Sequence, residues 1–186
     1  MEYEEKLTEV RNLAFETAKQ LHGRRLKSDL RSRVSAACFV IAQQHHSAIL
    51  LMLSNRPPLE ATAFALLRPL LEATMRGLWL SHCATDEQVE NFVSPTRKQL
   101  DAASIQLAID KTVANGSAHT AIYKKHWSAL SAYTHTGEHQ VQRWLTTKDV
   151  EPAYSTAEVS ELIKLAGLTM QLTASAVMAL RSADVE

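Results

Sequence analysis

Arg68, Glu72 and Arg76 are three ionisable residues spaced by four in a stretch that is otherwise almost wholly apolar. At about 100° per residue a helix carries all three down one side, with Phe64, Ala65, Met75, Trp79 and His82 flanking them. The opposite side reads Ala63, Leu66, Leu70, Ala73, Gly77 and Leu80. A helix apolar nearly all round belongs in the middle of a bundle, so the charges are embedded. Removing a guanidinium from water is costly unless it is paired, so Glu72 should bond at least one arginine. Two arginines against one carboxylate leave a positive surplus that another carboxylate, water or an anionic ligand must meet. The plainer alternative is a structural ion network that ties the helix to its neighbours. Pro69 lies inside the same run, where it removes one donor and presses on the Ala65 carbonyl, so a kink or local opening is expected.

A second cluster reads Ser131-Ala132-Tyr133-Thr134-His135-Thr136-Gly137-Glu138-His139-Gln140-Val141-Gln142-Arg143. If it is helical, Ser131, His135, His139 and Gln142 share a face. His135 has the chemistry to donate a proton, hold an anion when charged, or ligate a metal. A hydrogen-bonded histidine at a packing seam is the structural alternative.

His135 to His139 also spells the His-x-x-Glu-His string of zinc peptidases. Those enzymes need a larger αβ domain and a further glutamate ligand, which a short helical chain does not provide. A second metal reading joins His45 or His46 to His135 and His139, three ligands with an open position. This layout is similar to that of DinB-like helical metalloproteins. Gly137 and two threonines weaken the helix it requires, so no metal or cofactor is assigned.

The elements that must position these residues are helices. Only five glycines and five prolines occur in 186 residues, and no alternating strand run stands out. A first helix is expected from Glu2 to His22, ending near Gly23. A second spans Ser28 to Ser54, with Val34, Cys38, Ile41, Ala48 and Met52 inward and His45 filling a gap in that stripe. The third runs from Leu59 to Cys83. Thr85-Asp86-Glu87 caps a fourth, which is interrupted at Ser94-Pro95 and resumes from Thr96 to Ala114. A fifth covers Ala118 to Leu145, with Tyr123, Trp127, Leu130, Thr134, Val141 and Trp144 inward and Gly137 permitting close approach. Ser155 introduces a last helix through Arg181, with Val159, Ile163, Ala166, Met170, Thr173, Val177 and Leu180 inward. The expectation is an all-α protein: one domain over residues 1–186, a bundle of five to seven helices with a kinked central third helix.

Twenty basic residues balance twenty acidic ones, which argues against a broadly basic nucleic-acid binder while leaving room for a local patch. Cys38 and Cys83 lie in apolar stretches and are expected to be buried, reduced thiols. The acidic N-terminus does not resemble a signal peptide, and no run reaches the roughly 20 apolar residues of a membrane helix. A cytoplasmic protein without a membrane partner is expected, and a homodimer on symmetry frequencies.

Leu67-Arg68-Pro69-Leu70-Leu71-Glu72-Ala73, then Arg76-Gly77-Leu78-Trp79-Leu80-Ser81-His82-Cys83-Ala84-Thr85-Asp86, with Thr134-His135-Thr136-Gly137, Gln140 and Arg143 downstream, resembles a family of uncharacterised bacterial helical proteins. The resemblance covers about Ala48 to Leu180. More distantly it is similar to HEPN domains, in which an arginine and a histidine with four to six residues between them serve RNA cleavage, as Arg76 and His82 would if they met at a dimer cleft. Gly77 stands where a polar residue usually follows the HEPN arginine. The resemblance implies a helical fold and a shortlist of Arg68, Glu72, Arg76, His135 and Arg143. The resulting expectation is one polar pocket, with His135, Arg76 and Glu72 in catalytic roles and Arg68, Arg143 and Gln140 as ligand contacts. Its ligand would be RNA or another phosphate-bearing anion. A non-catalytic oligomerisation module is the remaining alternative.

Overall fold

A computed structural model describes residues 3–23, 25–94, 100–113 and 116–180. Among them are eight α-helices: α1 (Glu4–Leu21), α2 (Leu30–Ser54), α3 (Glu60–His82), α4 (Asp86–Phe92), α5 (Ala102–Thr112), α6 (Gly116–Thr134), α7 (Glu138–Gln142) and α8 (Thr156–Ala179). No strand occurs among these residues; one isolated bridge joins Leu145 to Val150. The count exceeds the expected five to seven because the fifth helix is two helices, α6 and α7. Pro95 and Thr96, where the fourth helix was expected to break and resume, lie outside the described residues. So do the expected starts and ends at Glu2, Ala114 and Arg181.

Helix starts follow local chemistry. Asp29 caps α2 by accepting from the Ser32 amide, and Asp101 caps α5 through Ser104. Thr85 with Gln88, and Ser155 with Glu158, form reciprocal capping boxes at α4 and α8. The far end of α3 is clamped from α2. There Arg31 donates to the Leu80 and Ala84 carbonyls (2.7 and 2.6 Å) and pairs with Asp86 (2.7 Å), so its charge meets the negative end of the helix.

At the middle of the bundle, α3 touches α2, α5, α6 and α8 and buries twelve of its residues, among them Ala63, Leu67, Leu70 and Leu80. Against α2 it packs so closely that a Cβ on Gly77 would overlap the Phe39 ring. This accounts for the glycine at that position. Across α8, Thr74 and Thr173 share a buried hydrogen bond (2.9 Å), and each hydroxyl also lies near the carbonyl four residues earlier in its own helix (Leu70 and Thr169).

The inward stripe of α2 is only partly the expected one: Cys38 is buried and Val34 and Met52 pack against the core. Ser35, Phe39, Ala42, His46, Ile49 and Leu53 are buried, whereas Ile41 is exposed and His45 only half-buried. Apolar residues lie on every side of this helix, so its periodicity does not select a face; the neighbours do. Burial pushes His46 down to about 4, which keeps it neutral. Cys38 is buried and Cys83 half-buried; both are free thiols, and burial pushes both up. α2 and α8 are long and apolar enough to cross a membrane by length and mean hydropathy, contrary to the reading that no span qualifies. Both pack against α3 and each other, and core helices carry the same composition.

Candidate functional site at the α3–α6 seam

Two four-residue ladders face each other. On α3 stand Arg68, Glu72 and Arg76; on α6 and the residue after it stand Tyr123, Trp127, Ser131 and His135. They run in opposite directions, with Arg68 beside Trp127, Ser131 and His135, and Arg76 beside Tyr123. Arg68 Nε donates to Glu72 Oε1 (2.7 Å), and its Nη1 lies 3.0 Å from Ser131 Oγ and 3.2 Å from His135 Nε2. Its guanidinium carbon sits 4.0 Å above the centre of the Trp127 ring, a cation–π contact. Arg76 reaches the other Glu72 oxygen at 3.5 Å.

Both oxygens of Glu72 are thus engaged by guanidinium groups, and the surplus positive charge inferred from the sequence is present. Side-chain exposure separates the roles: 19% for Arg68, 21% for Glu72 and 47% for Arg76. Arg68 is enclosed by protein partners, while Arg76 is the guanidinium open to an incoming group. Because arginine always donates, His135 Nε2 is the acceptor when this contact is a hydrogen bond. His135 itself is exposed.

The end of α6 explains how His135 is held. Thr136 has φ of 53°, the left-handed conformation that ends helices and that glycine usually supplies. The Gly137 amide returns to the Ala132 carbonyl (2.7 Å), closing a Schellman turn. Gly137 therefore stands one residue beyond the position that needs it, which hid the break in sequence. His135 becomes the cap of α6, whereas His139 lies on α7; the shared face drawn for them on one helix does not form.

Pro69 contributes from the other side. α3 continues helical through it, and without a Pro69 amide the Ala65 carbonyl lacks its usual donor. The Thr134 hydroxyl, 2.9 Å from the Leu130 carbonyl, also lies 3.3 Å from Ala65 O. The proline thereby leaves a contact point for the helix end that carries His135.

Two shortlisted residues go elsewhere. Gln140 donates to the Ala61 carbonyl (3.2 Å) and fastens α7 to α3. Arg143 pairs with Glu158 Oε1, whose other oxygen accepts from the Ser155 amide and hydroxyl (3.0 and 2.7 Å). Burial pushes the Glu158 carboxyl up, but the Ser155 hydrogen bonds and Arg143 outweigh it and hold the group below its ordinary range. Arg143 therefore belongs to the capped start of α8. His82 is exposed as the last residue of α3, and six residues rotate it about 120° away from Arg76 around the helix. Among the described residues no three His, Cys, Asp or Glu side chains are grouped to hold a metal ion, so the three-histidine arrangement is not assembled.

Sequence reasoning placed Tyr123 and Trp127 in the core without assigning them to the polar cluster, and passed over Gln106. Their strict spacing of four with Ser131 and His135 was the available signal. Between α3, α5 and α6 lies a cavity of about 20 Å³, lined by Glu72, Met75, Arg76, Ala102, Ile105, Gln106 and Tyr123. Tyr123 is 2% exposed and its hydroxyl has no hydrogen-bond partner. Burial, then the Glu72 carboxylate, pushes this phenol up against the pull of Arg68 and Arg76, so it remains a protonated donor.

No curated protein and no solved structure matches the chain. The model of a family of unknown function matches residues 39–184, a stretch that contains both ladders. The chain therefore belongs to that family, DUF6988.

Proposed function

We propose that the α3–α6 seam recognises the phosphate groups of RNA on a HEPN-like helical frame, in the cytoplasm of a bacterium. The observation that carries this reading is two guanidinium groups sharing one carboxylate, the more exposed of them, Arg76, being only 3.5 Å from it. A partly desolvated guanidinium with spare donors binds phosphate oxygens well, and the Arg68–Glu72 pair supplies a fixed platform beside it. Glu72 acts as a positioning residue here, because both its oxygens are engaged. In cleavage, His135 Nε2 would release Arg68 and take the proton of a ribose 2′-hydroxyl as that oxygen bonds to the adjacent phosphorus, the P–O5′ bond breaking and the 5′-oxygen leaving with a proton from water, while the arginines held the phosphate oxygens.

Titrating a fluorescein-labelled single-stranded RNA against wild type and Arg76→Ala tests this. A loss of roughly tenfold or more, shrinking as salt rises, is expected; equal affinities would remove the reading. Gel analysis of the same RNA separates cleavage from binding, since cleavage must disappear in His135→Ala. The proposal includes a homodimer, supported by the apolar residues Val40, Ile41 and Leu51 on the exposed side of α2. Light scattering that returns a monomer mass at working concentration would remove that part alone.

A further inference from the structure

The Tyr123 hydroxyl is the unexplained group of the seam. A buried hydroxyl without a partner is unfavourable by about 1–3 kcal/mol, and Tyr123 lines a cavity whose other polar walls are Glu72, Arg76 and Gln106. Glu72 is already shared between Arg68 and Arg76, so of the two charged groups lining the cavity, Glu72 and Arg76, the carboxylate is engaged and the guanidinium keeps spare donors. At about 20 Å³ it exceeds the roughly 10–15 Å³ that a water requires. It admits an oxygen atom and excludes a sugar or a base.

We infer that Tyr123 and Arg76 together hold one phosphoryl oxygen of the ligand inside this cavity, with Tyr123 Oη donating one hydrogen bond and the guanidinium another. The inference rests on the phosphate reading and adds a residue and a depth to it: the ligand inserts a single oxygen between α3, α5 and α6. That oxygen could belong to a terminal phosphate or to an internal phosphodiester. Because burial keeps the phenol protonated, its donor role persists through neutral pH.

The missing partner makes the test clean. Tyr123→Phe breaks no hydrogen bond within the protein, so folding should be unharmed or slightly improved, while ligand binding loses a donor. Calorimetric titrations of wild type, Tyr123→Phe and Arg76→Ala would use orthophosphate, a 5′-phosphorylated RNA octamer and the same octamer without that phosphate. Tyr3→Phe serves as control, since it removes another buried, unpartnered hydroxyl on the N-terminal side of α1.

Tyr123→Phe should weaken orthophosphate roughly tenfold without lowering the melting temperature, and Tyr3→Phe should change neither affinity. A loss confined to the phosphorylated octamer assigns the terminal phosphate, and an equal loss with both octamers assigns the diester. If Tyr123→Phe binds all three probes as wild type does while Arg76→Ala does not, the cavity holds only water and the inference falls while the phosphate site stands. If wild type and Arg76→Ala are indistinguishable with every probe, both fall.

Discussion

The two sides of α3 handle polarity in opposite ways. Toward α2 and α8, the buried polar groups are uncharged: Thr74 and Thr173 bond each other and lie near carbonyls of their own helices, while His46 of α2 is buried neutral, its Nε2 without a hydrogen-bond partner. Toward α6, the helix gathers two guanidinium groups, a carboxylate and an orphaned phenol. Apolar packing stabilises the first side without further help. The second leaves a half-exposed guanidinium and a buried phenol hydroxyl without a partner, which the proposed phosphate would take up. Closed polar networks hold a fold together, whereas networks with spare donors leave room for a ligand.

The comparison is broken most easily through acid. His46 is neutral when folded and accepts a proton at about pH 6.5 once unfolded. Between pH 6.5 and about 4 the denatured state therefore binds more protons, so stability is complete above the upper limit and falls toward the lower one. The loss approaches roughly 3 kcal/mol. Urea titrations across that range should show the slope in wild type and lack this component in His46→Leu.

Gly77→Ala should come next, at about 2–3 kcal/mol, because the new methyl group must displace the Phe39 ring. Thermal melts read this effect, and phosphate affinity should remain unchanged if the two sides are independent. Glu72→Gln separates them further. Stability should fall by about 2 kcal/mol as the arginines lose their shared carboxylate, while orthophosphate should bind more tightly because the surplus charge grows. A parallel loss of both properties would mean that the seam is only structural.

The smallest effects concern single hydrogen bonds and one backbone position. Thr74→Val should cost about 1 kcal/mol, since Thr173 keeps its own carbonyl partner, and should leave ligand affinity untouched. Thr136→Gly relieves a β-branched residue at φ 53° and should raise stability by about 1 kcal/mol. Denaturant midpoints with unchanged slopes would check both.

Much of this was readable locally. The Thr85 and Ser155 caps, the scarcity of breakers and the central placement of α3 all follow from residues within a few positions of one another. The ladder Arg68, Glu72, Arg76 was visible for the same reason, and so was its charge imbalance. The stripe of α2 was only partly legible, Cys38, Val34 and Met52 being in or against the core, because apolar residues surround that helix and spacing alone did not select Phe39, Ala42 and His46 over Ile41 and His45. Arg143 was assigned to the pocket by motif, but a capped glutamate fifteen residues further on was its nearer partner.

From the chain alone came an all-helical protein with embedded charge that needed an answer. Packing between helices determined what answers it: Trp127, Ser131 and His135 around Arg68, and Tyr123 beside Arg76, from residues about 50 to 70 positions away. Helical periodicity and capping act over about four residues and leave their mark in the sequence. Which face of one helix meets which face of another depends on the joint burial of many side chains. So does the side of a helix end on which the chain turns, and no local pattern encodes either.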